Sequence, residues 1–219
     1  MREDVPVVSK KVSPVAGEPS AAERADSSLT GKQRRQARAY AEALEGDVAA
    51  YRDEREENLL EAAGQWALAG EHQRALEIYD DLVATASQEN AQWATIGKIE
   101  VFAKLGRHED AEAEITHLKQ SHVHAGPASI VAEFLEHQGR LEEALTWFNI
   151  ACRDLFTDED AEITEAALIT RPELQGRARV RKALGLAPDA LDQQVDQEHA
   201  ELVRTLDRTG EDFGSSSAT

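Results

Sequence analysis

The chain has 219 residues, room for one ordinary domain with tails, and is 41% hydrophobic but only 5% aromatic. Its 42 acidic against 24 basic residues leave a formal charge of −18, which repels phosphates, argues against nucleic acid as a general partner and favours basic ones. One cysteine, Cys152, excludes an intramolecular disulfide; with no signal-like apolar stretch and no run of roughly 18 apolar residues, the expectation is a cytoplasmic protein without membrane association.

Residues 1–30 mix Pro, Ser, Gly and charge without periodicity, and Pro6, Pro14 and Pro19 interrupt any helix, so a disordered leader is expected. Thr30 or Ser28 caps a first helix through Gln36, Tyr40, Ala43 and Leu44. Gly46 and Asp47 either break it or weaken it, because Val48, Tyr51 and Arg52 resume helical spacing. Helical runs follow at 56–69 and 73–85, joined at Gly70. The pairs 93–105 with 109–120, and 129–137 with 141–155, repeat that plan. An acidic insert at 157–160 and a short apolar stretch at 166–169 come next, then a basic run, Arg177 to Lys182, leading to Gly185. An acidic helix is expected over 191–206 and a second loose tail over 208–219. Good helix formers dominate and no alternating apolar run occurs, so the predicted fold class is all-α.

The helical runs share a punctuation. Gly70, Gly106 and Gly139 are each followed five residues later by Ala (Ala75, Ala111, Ala144), and the glycines stand 36 and 33 residues apart. Gly185 and Ala190 repeat the step after a longer interval. Self-similarity at a period in the thirties means stacked helical hairpins, because one hairpin cannot bury its apolar face alone.

The pattern resembles the tetratricopeptide repeat (TPR) family. That unit has a small residue in helix A, an aromatic three positions on, a turn Gly, then Ala in helix B with an aromatic four beyond. Ala63, Trp66, Gly70, Ala75 and Tyr79 match in the first unit, and Ala132, Leu135, Gly139, Ala144 and Phe148 fill the places in the third, with Leu135 for the first aromatic. The second has Phe102, Gly106 and Ala111, but Ile99 in the small position and Ile115 in the aromatic one. No unit ends with the family's usual proline. The resemblance implies a right-handed α-solenoid of antiparallel helix pairs with extra flanking helices, spanning 31–207. Its units lie at about 56–88, 92–121 and 125–155, with a divergent, capping unit at 171–195.

TPR arrays bind partners on the inner face formed by their A helices. Carried across one by one, the groove positions are Glu57 and Glu61, then Trp93, Glu100 and Lys104, then Glu133, Glu136 and His137. The Lys and Asn side chains by which one subset of the family clamps a carboxylate are replaced here mostly by Glu. The implied function is a non-catalytic protein–protein interaction scaffold or adaptor, with a basic, partly apolar segment in an acidic groove. A solvated helix face is the plainer account of the same glutamates.

Other clusters are weighed against that reading. His117, His122 and His124 have ligand-like spacing, but loop polarity accounts for them and no metal is assigned. Lys32, Arg34, Arg35 and Arg38, and Arg171, Arg177, Arg179, Arg181 and Lys182, break the acidic trend; pairing with acidic elements of the same chain is the expectation. No phosphate loop, nucleophile elbow or distinguished carboxylate pair occurs, so neither an enzyme nor a cofactor is expected. The alternatives are a self-associating structural or regulatory subunit using Leu191, Val195, Leu202 and Leu206 of the last helix, and a nucleic-acid-associated factor using the basic helix 177–182.

Overall fold

The structure is a computed structural model that describes residues 29–153, 171–193, 195–197, 200 and 204. The predicted leader, except its last two residues, the acidic insert and the C-terminal tail fall outside the described residues, as do Leu202 and Leu206. The described residues are all-α, with no strand among them.

Helix α1 spans Gly31–Asp47 and is closed at its start by a capping box. Thr30 Oγ1 accepts from the Gln33 amide at 3.3 Å, and Gln33 Oε1 accepts from the Thr30 amide at 2.8 Å. The break falls at Asp47, whose carbonyl accepts from the amides of Ala50 and Tyr51, both at 2.9 Å. Val48 to Arg52 therefore do not extend α1. A 3₁₀ turn, Arg52–Glu54, leads into α2, Arg55–Ala69.

The remaining helices are α3 (His72–Thr85), α4 (Gln88–Lys104), α5 (His108–Leu118), α6 (Ala125–His137), α7 (Leu141–Ala151) and α8 (Pro172–Ala183). Two begin earlier than the periodicity suggests. Helix α4 starts at Gln88, not 93, because Ser87 caps it by accepting from the Asn90 amide. Helix α6 starts at Ala125, not 129, because Pro127 in the first turn replaces an amide that has no intrahelical partner there. Helix α7 ends at Ala151, short of the expected 155.

The four turn glycines make one structure four times. Gly70, Gly106, Gly139 and Gly185 have φ between 69° and 87°, the left-handed region that a Cβ disfavours. In each turn the next residue's amide reaches back five positions: Glu71 to Trp66, Arg107 to Phe102, Arg140 to Leu135 and Leu186 to Arg181, at 2.8 to 3.0 Å. The glycine amide bonds three positions back in every case, which completes a Schellman closure. Glu71, Arg107 and Arg140 then enter the next helix with nearly identical torsions, φ −86° to −88° and ψ 57° to 63°.

Short turns fold α2 onto α3, α4 onto α5 and α6 onto α7, and the first helices of successive hairpins also touch: α2 with α4, α4 with α6, α6 with α8. The architecture is repeat-like. Ala63, Ala75, Ala111, Ala132 and Ala144 are buried where helices approach. Between hairpins, aromatic rings seat on glycines. A Cβ built on Gly97 would lie 2.2 Å from Tyr79 Cζ, and one on Gly176 would lie 2.3 Å from the Phe148 ring. Each of these glycines stands nine residues before a turn glycine, and each ring nine residues after one. At the corresponding positions of the middle junction the chain places Ile115 and Ile130, so the missing aromatic of the second unit is matched by a larger residue opposite.

Charged side chains lock the ends. In α1, Arg38 lies over the Trp66 ring, 5.8 Å from its centroid, and pairs with Glu71; Glu45 accepts from Trp66 Nε1 at 2.5 Å and pairs with Arg74. At the other end buried Arg177 of α8 donates to Asn149 Oδ1 at 2.7 Å and to Asp192 Oδ1 at 2.7 Å, and also pairs with Asp189. Arg181 reinforces it through Asp192 at 2.8 Å. Lys98 of α4 ties α3 to α5 through Asp80 at 2.9 Å and Glu114 at 2.5 Å.

Candidate functional site

A groove of about 310 Å³ opens between α2 and α4. Helix α2 contributes Glu61, Gly64 and Leu68, and α4 contributes Gly97, Glu100 and Lys104. The α3 residue Tyr79 forms its floor. Three of the sequence-predicted residues, Glu61, Glu100 and Lys104, are thus brought to one concavity.

Its electrostatics are uneven. Neither Glu61 nor Glu100 has an ion-pair partner among the described residues. Glu61 lies instead beside the half-exposed Tyr40 phenol, whose pKa the carboxylate raises. Glu100 is open at the mouth, yet the groove walls withdraw enough water to raise its carboxyl, against the opposing pull of Lys104. Tyr79 is only 6% exposed, and desolvation followed by the Glu100 charge raises its phenol. The Tyr79 hydroxyl has no hydrogen-bond partner among the described residues.

The other predicted residues stand elsewhere. Glu57 is exposed on α2, outside the groove lining. Trp93, placed in the groove by the repeat register, is half-buried against the core; its indole lies on Gly126, where a Cβ would approach Cζ2 to 2.7 Å. That ring covers the start of α6. Glu136 is held by Arg179 of α8 in a two-pronged pair at 2.7 and 2.6 Å, which keeps its carboxyl below the usual range. Glu133 lies within the field of the same arginine, and His137 Nδ1 donates to the Glu133 carbonyl at 2.7 Å. In the third unit, therefore, part of the acidic face is neutralised by the chain itself. The acidity left open is that of the first two units.

A second groove of about 330 Å³, between α1, α2 and α3, has its charges matched: Arg55 with Asp81 at 2.8 Å, and Arg74 with Glu45 and Glu77. It is a charge-satisfied surface. The basic helix is also engaged, since Arg177, Arg179 and Arg181 all pair with carboxylates of neighbouring segments. Leu191 and Val195 pack inward on Cys152 and Leu174. The histidine cluster is drawn into loop contacts: Arg153 donates to His122 Nδ1 at 3.0 Å, and the His124 amide donates to Gln92. Among the described residues no three His, Cys, Asp or Glu side chains converge as a metal site, and no helix is long and apolar enough to cross a membrane.

Two locks between hairpins escaped the sequence reading. Glu56, at the start of α2, accepts from the Ser87 amide and from Asn90 Nδ2 at 2.8 Å, which lowers its carboxyl pKa. Buried Gln92 donates to the His122 carbonyl at 2.6 Å and accepts from the His124 amide at 2.9 Å, zipping the α5–α6 loop onto α4. Mid-helix Gly64 and Gly97 were the available signal for the groove, since glycine inside a helical run costs stability unless close packing or a site needs it.

Compared with family models, curated proteins and solved structures, the chain has no match.

Proposed function

We propose that the protein is a non-catalytic interaction scaffold of the TPR type, which binds a basic segment of a partner protein along the acidic face of its first helices. The observation that carries this reading is the acidity of the α2–α4 groove, left without ion pairs among the described residues, whereas the charges of the α1–α3 groove and Glu136 are matched internally. Carboxylates left without counter-ions in a concave, partly dehydrated surface favour an incoming cation. The four like turns and the contacts between successive first helices support a solenoid, right-handed as the resemblance implies, with 171–195 as its divergent last unit. A cytoplasmic setting suits the single buried thiol.

The test is capture of partner from native lysate by the full chain and by a variant with Glu61, Glu100 and Glu133 all changed to Lys. A stoichiometric basic partner, retained by the parent chain, released by moderate salt and lost from the variant at unchanged helicity, supports the acidic face. Equal retention by both chains rejects it.

A further inference from the structure

We infer that the α2–α4 groove is a socket for one cationic side chain, taking the ammonium or guanidinium head of a lysine or arginine from the partner segment. This rests on the function proposed above and names the chemical group that the groove reads.

The socket has a floor, a wall and two charges. The floor is the Tyr79 hydroxyl, on a side chain more than nine-tenths buried, which faces the groove with no partner of its own among the described residues. The hydroxyl is not sealed off: it stays open to the groove, where a ligand's N–H can donate to it. The wall is apolar: Leu68 and Val101 line it, and Gly64 leaves it open. The methylene stem of Lys or Arg matches such a wall while its head seeks polar atoms. The charges are Glu61 and Glu100, one from each helix, neither in an ion pair. Lys104 stands at the same groove and tempers Glu100, so an incoming cation faces a partly balanced site and not a bare acidic cluster. Gly97 has a separate duty, to admit the Tyr79 ring. Gly64 has no such duty: its missing Cβ would meet only Tyr79 Oη, at an ordinary 3.8 Å. The space at Gly64 is thus available to a ligand.

The full chain, labelled with ¹⁵N, is titrated with ethylguanidinium and with n-butylammonium at constant ionic strength, and tetramethylammonium and calcium serve as comparison cations. Saturable shifts of the Gly64 and Gly97 amides with the first two probes are expected. Glu100→Gln and Tyr79→Phe weaken the apparent affinity by several-fold to about ten-fold, the range for the net worth of one hydrogen bond to solvent-accessible groups. Gly64→Leu abolishes the shifts. Equal shifts with tetramethylammonium, selective response to calcium, or undiminished affinity in Glu100→Gln would each overturn the socket. If the socket fails while the triple Lys variant still loses its partner, only this assignment falls; if partner capture also survives in that variant, the acidic-face reading falls with it.

Discussion

The ring of Tyr79 occupies the place that a side chain at Gly97 would need, leaving a built Cβ 2.2 Å from Cζ. This fixes how the second hairpin sits on the first, and it holds the phenol at the base of the groove. Gly97→Ala is expected to destabilise the protein, because overpacking costs about 1–3 kcal/mol and exceeds the roughly 0.5–1 kcal/mol that Ala brings to a helix. Gly64→Ala, with open room for its methyl, is expected to stabilise by that smaller amount. Urea denaturation of both variants checks the pair, and opposite signs are the expected outcome. Equal signs would mean that the ring yields.

Removing Arg177 leaves Asp192 and Asp189 to Arg181 alone and takes the donor from Asn149 at the last helix. Because Arg181 still pairs with both carboxylates, the expected cost is about 1–3 kcal/mol, that of the lost charge-assisted hydrogen bonds. Cys152 reports the opening, since it packs with Leu174, Leu191 and Val195 and burial pushes its thiol up to about 11. The parent chain is expected to react slowly with a disulfide reagent at pH 8, and Arg177→Ala much faster. An unchanged rate would show that the α8 unit does not depend on this cluster.

Glu56, Glu136, Glu143 and Asp189 all have carboxyl groups held below their ordinary values by hydrogen bonds and arginine partners. Folded values below unfolded ones mean that the unfolded chain binds more protons in acid. Their stabilisation is therefore complete above the ordinary carboxylate range of about 4 and is lost as pH falls through the lower, folded values. The melting temperature is expected to hold from neutral pH to about 5 and then to fall below about 4. Glu136→Gln should lower it at pH 7 and lose most of that effect at pH 2. A deficit equal at both values would contradict the linkage.

Glu100 behaves oppositely. Desolvation raises its carboxyl, so ionisation disfavours the folded state, and the penalty grows as pH rises through the folded value. Glu100→Gln is expected to raise the melting temperature at pH 7 and to change little below pH 4. A side chain that weakens the fold while ionised suits a binding role better than a structural one. Destabilisation at pH 7 would remove that argument.

The turns were legible because a left-handed residue at a helix C-terminus calls for glycine, and Gly70, Gly106, Gly139 and Gly185 stood in phase. The buried alanines were legible for a similar reason, since a small residue recurs wherever helices approach. Helix starts at Gln88 and Ala125 were not, because caps and first-turn residues carry no apolar periodicity. The groove was legible by halves. Its carboxylates followed from the repeat register, whereas Glu136 is cancelled by Arg179, 43 residues away, and Trp93 is turned onto Gly126. No local pattern announces such long-range pairings. The Glu56 and Gln92 locks reach to the next hairpin in the same way, across 30 to 34 residues.

The most direct test of the acidic face is fluorescence anisotropy of a labelled peptide of Lys, Arg and Leu, titrated with the full chain, against a twin peptide carrying Glu for each basic residue. The expected result is saturable binding of the basic peptide alone, weakened by salt and at least about ten-fold weaker when Glu61, Glu100 and Glu133 are changed to Lys. Binding of both peptides alike, or equal affinity in the triple variant at unchanged helicity, would contradict it.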